Sequence, residues 1–309
     1  MLPTDAKIPV ILDTDLGTDI DDTWALAFLL RCPELDVKLI TTTTGDTHLR
    51  ARLVARLLET AGRTDIPIGI GVPLENSPIH QSDWVQEYAL TDYPGPVEPD
   101  GIGALADALQ GAPAPVTMIG IGPLPNLAAA LMRAPGCVAR ARFVGMHGSL
   151  RQGYLGSPDV AAEYNVRLYP HACRQVFAAP WEITLTPLDT CGTVQLTGAN
   201  YRAVRESPDR LLRAVMENYA CWTRHNQDSA YRQFDPDIES SILYDLVPIY
   251  LAFAETFLDI ERLPITVSDD GFTRISAGGP LLRCATRWKD RPAFEALVVE
   301  RLTGAPAPA

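Results

Sequence analysis

The feature that most constrains the fold is an alternation, in the first half of the chain, between short apolar runs and longer helical stretches. Four runs of apolar or β-branched residues are typical of buried strands: 8–12, 37–43, 116–121 and 141–146. Helical spacing follows the first three of these runs, at 22–31, 50–60 and 126–132. Strands that alternate with helices predict an α/β fold, with a mainly parallel central sheet flanked by helices as in a Rossmann-like core.

The C-terminal third of the chain has less regular patterns than the first half. Residues 209–223 and 242–254 have helical spacing, and residues 265–288 are typical of short closing strands. No linker, internal repeat or low-complexity block divides the sequence. We therefore expect residues 1–309 to form a single domain, with a frayed tail at 304–309.

The charge balance excludes one class of partner. The 309 residues include 26 Lys and Arg against 38 Asp and Glu, a formal net charge of −12, and the basic residues form no stripe. Because nucleic-acid binding depends on phosphate neutralisation, no nucleic-acid partner is expected. An acidic chain also repels polyanions, so the composition favours a neutral or cationic small molecule as substrate.

Cysteine usage and apolar content bear on the compartment. The six cysteines include no C-x-x-C pair, which indicates reduced thiols rather than a zinc knuckle or a disulfide framework. The first residues contain no apolar signal core, and no run approaches the roughly 20 apolar residues of a membrane span. These observations predict a soluble, cytoplasmic protein without a membrane partner.

An acidic loop follows the first predicted strand. Five aspartates lie within ten positions: Asp13, Asp15, Asp19, Asp21 and Asp22. Carboxylates this close repel one another, and a hard divalent cation with oxygen ligands compensates such charge well. The ordinary alternative is a solvated turn in which Asp21 and Asp22 only begin a helix. The position at the carboxyl end of a buried strand, where α/β sheets bind ligands, favours a metal site.

Other polar clusters follow the neighbouring strands. Loops begin after residues 12, 43, 121 and 146. Because the carboxyl ends of parallel strands share one edge of a sheet, these four loops are expected to converge. A metal and a substrate would therefore meet at one place.

Four motifs together resemble the inosine-uridine preferring nucleoside hydrolase family. DTDLGTDIDDTWAL at 13–26 is similar to the family's D-x-D-x-G-x-D-D signature, with two added residues that leave Asp19 without a counterpart. Three further segments resemble, in order, the family's G-P-L-T-N-L-A, A-E-F-N and H-D-P-L-A motifs: GIGPLPNLAAAL at 120–131, AAEYN at 161–165 and LYDLVPIYLA at 243–252. The resemblance covers nearly the whole chain and implies the nucleoside hydrolase fold.

The resemblance implies a calcium site and a ribose site. Asp15, Asp22 and Asp245, with the main-chain carbonyl of Ile121, would hold Ca²⁺. Asp15 would also act as general base toward the attacking water. The residues implied on the sugar side are Asp21, Glu163 and Asn165. Such a ring of polar groups suits the oxocarbenium-like transition state of glycosidic cleavage. Met146 either touches the sugar side or is simply an apolar residue at the end of a strand.

Three positions depart from the family's pattern, and they bear on the substrate. Asp46 replaces an Asn in the loop after the second strand, where its charge can contact hydroxyls or raise the pKa of a neighbour. Ser157 replaces an Asn that contacts the 5′-hydroxyl, which implies a shorter or absent contact. Tyr244 replaces a His that helps to protonate the leaving base in part of the family, and a phenol is a weaker acid.

Several groups stay open as activators of the leaving base. The candidates are aromatic stacking, Tyr244 itself, His80, and His225 or Tyr231 in the segment 223–237. That polar segment precedes the Asp245 helix, and its composition is typical of an active-site lid. The rings of Trp84 and Trp222 either stack on the base or simply pack.

Two other polar residues have ordinary structural interpretations. Asn126 follows the Gly-Pro turn and is expected to cap the helix that begins there. His147 is expected to be a core or surface histidine rather than a metal ligand.

The leading hypothesis is Ca²⁺-dependent hydrolysis of the N-glycosidic bond of ribonucleosides to free base and ribose. A second hypothesis keeps this chemistry but changes the aglycone, to a modified nucleoside or another N-riboside, because of the departures at Asp46, Ser157 and Tyr244. A third is a ribose-binding sensor without turnover, which would not need Asp15 as a base. The resemblance also implies a homodimer or homotetramer that serves nucleoside salvage.

Overall fold

Ten strands and eleven helices make up the part of the chain that the structure describes. This computed structural model describes residues 7–74, 77–111, 115–225 and 233–304. The strands are β1 (Ile8–Thr14), β2 (Leu35–Thr42), β3 (Ile68–Ile70), β4 (Val97–Glu98), β5 (Val116–Gly120), β6 (Ala141–Gly145), β7 (Glu182–Leu185), β8 (Leu258–Val267), β9 (Thr273–Ile275) and β10 (Leu281–Trp288). The helices are α1 (Asp21–Leu30), α2 (Thr47–Thr60), α3 (Gly101–Gly111), α4 (Pro125–Arg133), α5 (Tyr164–Leu168), α6 (Pro170–Phe177), α7 (Leu188–Cys191), α8 (Gly198–Arg205), α9 (Arg210–His225), α10 (Leu246–Leu251) and α11 (Arg291–Thr303). Short 3-10 helices lie at Ser82–Val85, Leu90–Asp92 and Tyr154–Gly156.

These strands join in one sheet, in the order β4-β3-β2-β1-β5-β6-β7-β10-β8-β9. Every neighbouring pair from β4 to β10 in this order runs parallel. At one edge of the sheet, β8 pairs antiparallel with both β10 and β9. The prediction of a single α/β domain with a mainly parallel sheet is therefore confirmed.

The sheet is buried on both faces. Along β1, Val10 and Leu12 belong to one apolar core and Ile11 belongs to the other, because successive side chains of a strand alternate. Helices α1, α2, α9, α10 and α11 pack into the first core, and α3, α4 and α6 pack into the second. Burial on both faces explains the continuous apolar runs in the sequence.

The carboxyl end of β1 lies at the middle of the sheet and is held by a polar network. Asp13 pairs in register with Thr41 of β2 and with Gly120 of β5. Its Oδ1 atom accepts from Thr41 Oγ1 at 2.5 Å and from Asn126 Nδ2 at 2.7 Å. The same Asn126 amide donates to the Thr42 carbonyl at 3.0 Å. The strand from which the acidic loop leaves is therefore fixed on both sides.

The structure corrects three local expectations. Asn126 does not cap α4, because Leu124 occupies the N-cap position and the Asn126 amide bonds across the strands instead. The helix expected at 242–254 shrinks to α10, since the Leu243 N–H donates to the Val194 carbonyl at 2.9 Å and not within a helix. The closing strands begin at Leu258, before the expected residue 265, because β8 pairs with β10 along most of its length.

None of the helices in the described ranges has the length and apolar character needed to cross a bilayer.

Candidate active site

A cavity of about 230 Å³ opens at the carboxyl ends of β1, β5 and β6. The loops after these strands contribute Asp15, Ile121 and Met146 to its lining. Within the described ranges the loop after β2 lies outside the lining, so three of the four loops expected to converge do so directly. We call Asp15, Asp21, Asp22 and Asp245 the acidic floor. We call Tyr154, Trp222, Phe234 and Tyr244 the aromatic wall.

A glycine sets the turn of the acidic loop. Gly17 has φ +115°, a conformation that side chains of other residues rarely adopt. A Cβ atom at this position would lie 2.7 Å from Ile79 Cγ2 and 2.8 Å from Leu53 Cδ1. The Gly17 carbonyl accepts from the His80 N–H at 2.8 Å, which ties the loop to the segment that carries His80. Another residue at position 17 would shift the floor.

A second glycine leaves room for Asp15, the residue expected to act as general base. A Cβ atom on Gly122 would lie 2.8 Å from Asp15 Oδ1 and 2.9 Å from the Asp15 nitrogen. The Gly-Pro turn after β5 therefore allows Asp15 to approach the backbone of the neighbouring loop closely. His147, which is buried, contacts the Gly122 carbonyl through Nε2 at 3.1 Å. Burial lowers the pKa of His147 to about 3, so this histidine is a neutral core residue, as expected.

A fully buried arginine supports the acidic loop from α2. Arg50 donates to the carbonyls of Asp15 and Leu16, the second at 3.0 Å, and its Nε donates to the Thr44 carbonyl at 2.8 Å. Its other terminal nitrogen donates to Thr18 Oγ1 at 2.8 Å, and Thr18 hydrogen-bonds the Asp15 carboxyl group. The Arg50 charge also acts to lower the pKa of Asp15 against the larger effect of burial, which raises it. The loop thus has its own cation beneath the carboxylates.

Three carboxyl groups form a compact cluster on the floor. Among the described residues, oxygen atoms of Asp21, Asp22 and Asp245 all lie within 4.8 Å of one another. Asp22 also accepts from the Thr14 hydroxyl, which anchors it to the end of β1. Asp15 lines the same cavity but lies outside this compact set. The cluster therefore contains two of the three carboxylates expected to bind metal, together with Asp21, which was expected to contact ribose.

Burial and mutual repulsion raise the pKa values of the floor. Burial is the largest cause for Asp15, Asp21, Asp22 and Asp245, and neighbouring aspartate charges add to it for the last three. Burial also raises the pKa of Asp19, which lines the cavity, to about 6. Buried carboxylates stay charged when a cation compensates them, and a set of oxygen donors is the kind that hard divalent ions prefer. The donor chemistry of the floor therefore fits such a cation.

Glu163 and Asn165, which were expected to contact ribose, are held by hydrogen bonds to the main chain. Glu163 accepts from the N–H groups of Asn165 at 2.7 Å and Gly148 at 2.9 Å, and burial raises its pKa to about 7. Asn165 Nδ2 donates to the carbonyls of Met146 at 3.0 Å and Ile121 at 3.2 Å. These four residues of the expected site, Ile121, Met146, Glu163 and Asn165, are therefore brought together.

Tyr244 and His80 both line the cavity. The ring of Tyr244 meets that of Tyr154 edge-on at a centroid distance of 6.0 Å. Burial raises the pKa of Tyr244, and burial lowers the pKa of His80. Trp222 belongs to the wall, and its Nε1 donates to the Thr18 carbonyl at 3.2 Å.

Other sequence candidates lie outside the lining. Asp46 is exposed and caps α2, with its carboxylate accepting from the Leu49 N–H at 2.9 Å. Ser157 accepts from the Asp159 N–H through its hydroxyl at 3.1 Å. Trp84 donates to Glu217 at 2.9 Å. His225 pairs with Asp83 at the surface, at 2.6 Å. Tyr231, like all of 226–232, lies outside the described residues.

Arg50 and two aromatic residues of the wall belong to the site but were not predicted from the sequence. Arg50 has a recognisable signal, because it occupies a core position of α2, in helical spacing with Leu53, Val54 and Leu57. A charged residue in such a position needs buried partners. Tyr154 has no comparable signal, since it lies in a short 3-10 helix that only the tertiary fold brings to the cavity. Phe234 lies in the segment 223–237, which was expected to cover the site, although the ring itself was not singled out.

Comparisons with known proteins identify the family and the fold of this chain. The model of the family described as inosine-uridine preferring nucleoside hydrolase matches residues 10–299. The chain is 33% identical over 227 residues to the non-specific ribonucleoside hydrolase RihC of Klebsiella pneumoniae, covering 69% of this chain and 72% of that protein. The solved structure of the plant nucleoside hydrolase PpNRh1 superposes with a TM-score of 0.80 at 23% identity, covering 96% of this chain and 99% of that one. An inosine-uridine preferring nucleoside hydrolase from Bacillus anthracis gives a TM-score of 0.75 at 18% identity, with coverages of 96% and 99%.

Proposed function

Since the chain belongs to the inosine-uridine preferring nucleoside hydrolase family, we propose that its acidic cavity hydrolyses the N-glycosidic bond of ribonucleosides with the help of a bound Ca²⁺. The chain is a nucleoside N-ribohydrolase, an enzyme of the glycosidase class. The observation that carries the metal-dependent proposal is the acidic floor, whose buried carboxyls carry raised pKa values and include three within 4.8 Å of one another.

The proposed metal ligands are Asp15, Asp22, Asp245 and the carbonyl of Ile121. All four offer oxygen atoms at one cavity, and this donor type favours Ca²⁺ over thiophilic or imidazole-binding metals. A bound Ca²⁺ would supply two things, a lowered pKa for a water and a fixed orientation for ribose hydroxyls. Asp21 lies in the same carboxyl cluster, so it acts on the ribose from beside these ligands.

Asp15 is the proposed general base. The Thr18 hydroxyl and the Arg50 guanidinium hold its side chain and its backbone, and Gly122 gives it space. Asp15 accepts a proton from the water as the water oxygen bonds to the anomeric carbon. The bond between that carbon and the base nitrogen breaks, and its electron pair leaves with the base. A proton from solvent or from a cavity side chain then neutralises the base.

Glu163 and Asn165 are the proposed ribose contacts beside Asp21. Both amide hydrogens of Asn165 are directed at main-chain carbonyls, so its Oδ1 oxygen is the atom that can accept from a ribose hydroxyl. Backbone N–H groups fix the Glu163 carboxyl in the same way. Their negative or partially negative oxygens stabilise the positive charge that develops on the sugar.

Departure of the base relies on hydrogen bonding and stacking rather than on a strong acid. Burial raises the pKa of Tyr244, so its phenol stays protonated and can donate a hydrogen bond, but it releases a proton reluctantly. Burial keeps His80 neutral at pH 7, since its pKa is lowered from 6.5. The aromatic wall supplies ring faces for the base. Aglycones that need little protonation are therefore the proposed preference.

One experiment tests this proposal against its alternatives. Reducing-sugar release is measured from a panel of nucleosides and other N-ribosides, with and without a calcium chelator. We expect release that disappears with chelator and returns with added Ca²⁺. Release that survives chelation would contradict the metal assignment. Ribose binding without cleavage of any member would favour a sensor, and cleavage confined to unusual N-ribosides would identify a modified aglycone.

The remaining proposals concern the setting of the enzyme. We propose that it acts in the cytoplasm, in nucleoside salvage, as a homodimer or homotetramer, on the basis of its reduced-cysteine pattern and its family. Segment 223–237 is proposed as a lid, and Phe234 at its described end lines the cavity. Light scattering coupled to size-exclusion chromatography tests the oligomer, since a monomeric mass would contradict it.

A further inference from the structure

A second group of metal-binding side chains lies outside the active cavity. Within the described residues, ligand atoms of Asp83, Cys221 and His225 all lie within 4.8 Å of one another. Asp83 comes from the 3-10 helix Ser82–Val85, and the other two come from the C-terminal turns of α9. The catalytic proposal above uses none of the three. The group therefore invites a separate explanation.

The positions of these side chains suit a common ligand. Cys221 and His225 are four residues apart on α9, so their side chains share one face of the helix. His225 Nε2 lies 2.6 Å from Asp83 Oδ2, and Gln86 Nε2 donates to the other oxygen of Asp83 at 3.0 Å. Gln86 already orients the Asp83 carboxylate, so an ion could replace the proton between His225 and Asp83 without a rearrangement of that carboxylate.

An ion can reach this place from solvent. Asp83 and His225 side chains are 38% and 42% exposed. Cys221 is buried, but with Asp83 it lines a surface groove of about 650 Å³. Because the Asp83 and His225 side chains are partly exposed to solvent, a water molecule can bind the ion as well. A tetrahedral ion with three protein ligands needs such a fourth ligand.

We propose that Asp83, Cys221 and His225 form a Zn²⁺ site, with water as the fourth ligand. The thiol of Cys221 loses its proton to solvent when the zinc–sulfur bond forms. The proton shared by His225 Nε2 and Asp83 also passes to solvent when these two groups bind the ion, and His225 then carries its ring proton on Nδ1. The mixed set of one sulfur, one nitrogen and one oxygen selects Zn²⁺, whereas the all-oxygen acidic floor selects a hard ion. The two sites would thus hold different metals.

Zinc binding at this site would affect the active cavity through residues that connect the two. His80 and Trp222 line the cavity, and Trp222 is adjacent in sequence to Cys221. The Cys221 thiol also contacts the His80 carbonyl at 3.6 Å. A zinc ion would fasten the end of α9 to the 3-10 helix and restrict both side chains. We therefore expect Zn²⁺ to change KM for the nucleoside more than the affinity for calcium.

The test uses Co²⁺ as a spectroscopic substitute for Zn²⁺, on the full chain with excess Ca²⁺ present to keep Co²⁺ from the acidic floor. Wild-type protein should develop a sulfur-to-cobalt charge-transfer band and the intense visible bands of tetrahedral Co²⁺, and Zn²⁺ should abolish both. In Cys221→Ser the charge-transfer band should vanish. In His225→Ala the affinity should fall at least about 10-fold, as loss of a ligand costs no less than loss of a supporting contact.

His171→Ala is the matched control, because His171 is an exposed histidine on another helix, α6. It should bind Co²⁺ like the wild type. His225 is partly exposed, so its replacement leaves the core intact even if Cys221→Ser disturbs folding. Weak octahedral cobalt bands without the sulfur band, or unchanged binding in His225→Ala, would overturn the proposal and leave an ion pair beside a buried thiol.

Discussion

The acidic floor comes from one contiguous loop and one distant helix start, whereas the aromatic wall comes from segments spread along the chain. Asp15 lies directly after the central strand β1, Asp21 and Asp22 begin α1, and Asp245 precedes α10. Tyr154, Trp222 and Phe234 come from a 3-10 helix, from α9 and from an irregular segment. Hydrogen bonds to β1 and to Arg50 hold the floor. The rings of the wall pack against the apolar core, and Trp222 and Tyr154 are also hydrogen-bonded, to the Thr18 carbonyl and the Tyr164 N–H.

This difference suggests that the floor carries out the chemical step and that the wall binds the base. Directional hydrogen bonds fix the floor, so a small change there should affect the chemical step strongly. Substitution of a ring or removal of a hydroxyl in the wall should lower activity only modestly, because stacking is less directional than hydrogen bonding. Substitutions in the two regions should therefore differ in size and in the kinetic parameter that they change.

The largest effect is expected from Asp15→Asn on the floor. Because the amide cannot accept the proton of the attacking water, kcat should fall by about 10²–10⁴-fold with a smaller change in KM. Asp46→Asn is the matched control, since Asp46 only caps α2 and Asn also caps helices. Steady-state kinetics on one nucleoside measures both. A wild-type kcat in Asp15→Asn would show that Asp15 is not the general base.

The next effect concerns the support of the floor. Arg50→Met should lower the free energy of unfolding by about 3–5 kcal/mol, because it leaves buried carbonyls without a donor and removes the cation from beneath the carboxylates. Arg56→Met on the same helix is the control, since Arg56 lies over the Trp84 ring, away from the floor. Urea denaturation compares the two. Equal losses in both variants would show that the buried position of Arg50 has no special role.

A smaller effect is expected from pH in the absence of metal. Burial raises the pKa of Asp13 from 3.8, and that of Glu163 from 4.5, to about 7. Between the unfolded and folded values the folded state binds more protons, so the stability present at low pH is lost as pH rises through about 7. With chelator, the melting temperature should therefore fall from about pH 5 to pH 8. Added Ca²⁺ should raise the melting temperature most near pH 8. A melting temperature that rises steadily with pH in the presence of chelator would contradict the raised pKa values of these buried carboxyls.

The smallest effect is expected on the wall. Tyr244→Phe keeps the ring and removes only the hydroxyl, so kcat for uridine or inosine should fall by about 10-fold, the loss of one hydrogen bond. p-Nitrophenyl riboside, whose leaving group needs no protonation, serves as the internal control and should be hydrolysed at the wild-type rate. A loss as large as that of Asp15→Asn, or an equal loss on both substrates, would mean that Tyr244 does more than assist the base.

The same contrast explains how much the sequence could predict. Asp15, Asp21 and Asp22 were recognisable because five aspartates follow an apolar strand. The alternation of strands and helices predicted that this position lies at the carboxyl ends of the parallel strands, where α/β sheets bind ligands. Glu163 and Asn165 were recognisable only through the resemblance. Asp46 was misleading, because an acidic residue before a helix can be either a ligand or a cap, and here it caps α2.

Other features depend on contacts that no local pattern encodes. Asn126 was expected to cap α4, but in the fold its amide faces β1 and β2, which are distant in sequence. Tyr154 reaches the cavity from a 3-10 helix whose position depends on the tertiary fold. Arg50 was predictable in principle, since a charge on the apolar face of a helix demands buried partners, but its partners lie in the acidic loop.

Calorimetric titration of chelator-stripped protein with Ca²⁺ tests the central claim most directly. The acidic floor predicts binding of one ion per chain, with an affinity that drops sharply in Asp22→Asn and in Asp245→Asn and persists in Asp46→Asn. Absence of Ca²⁺ binding, or equal binding in all three variants, would contradict it.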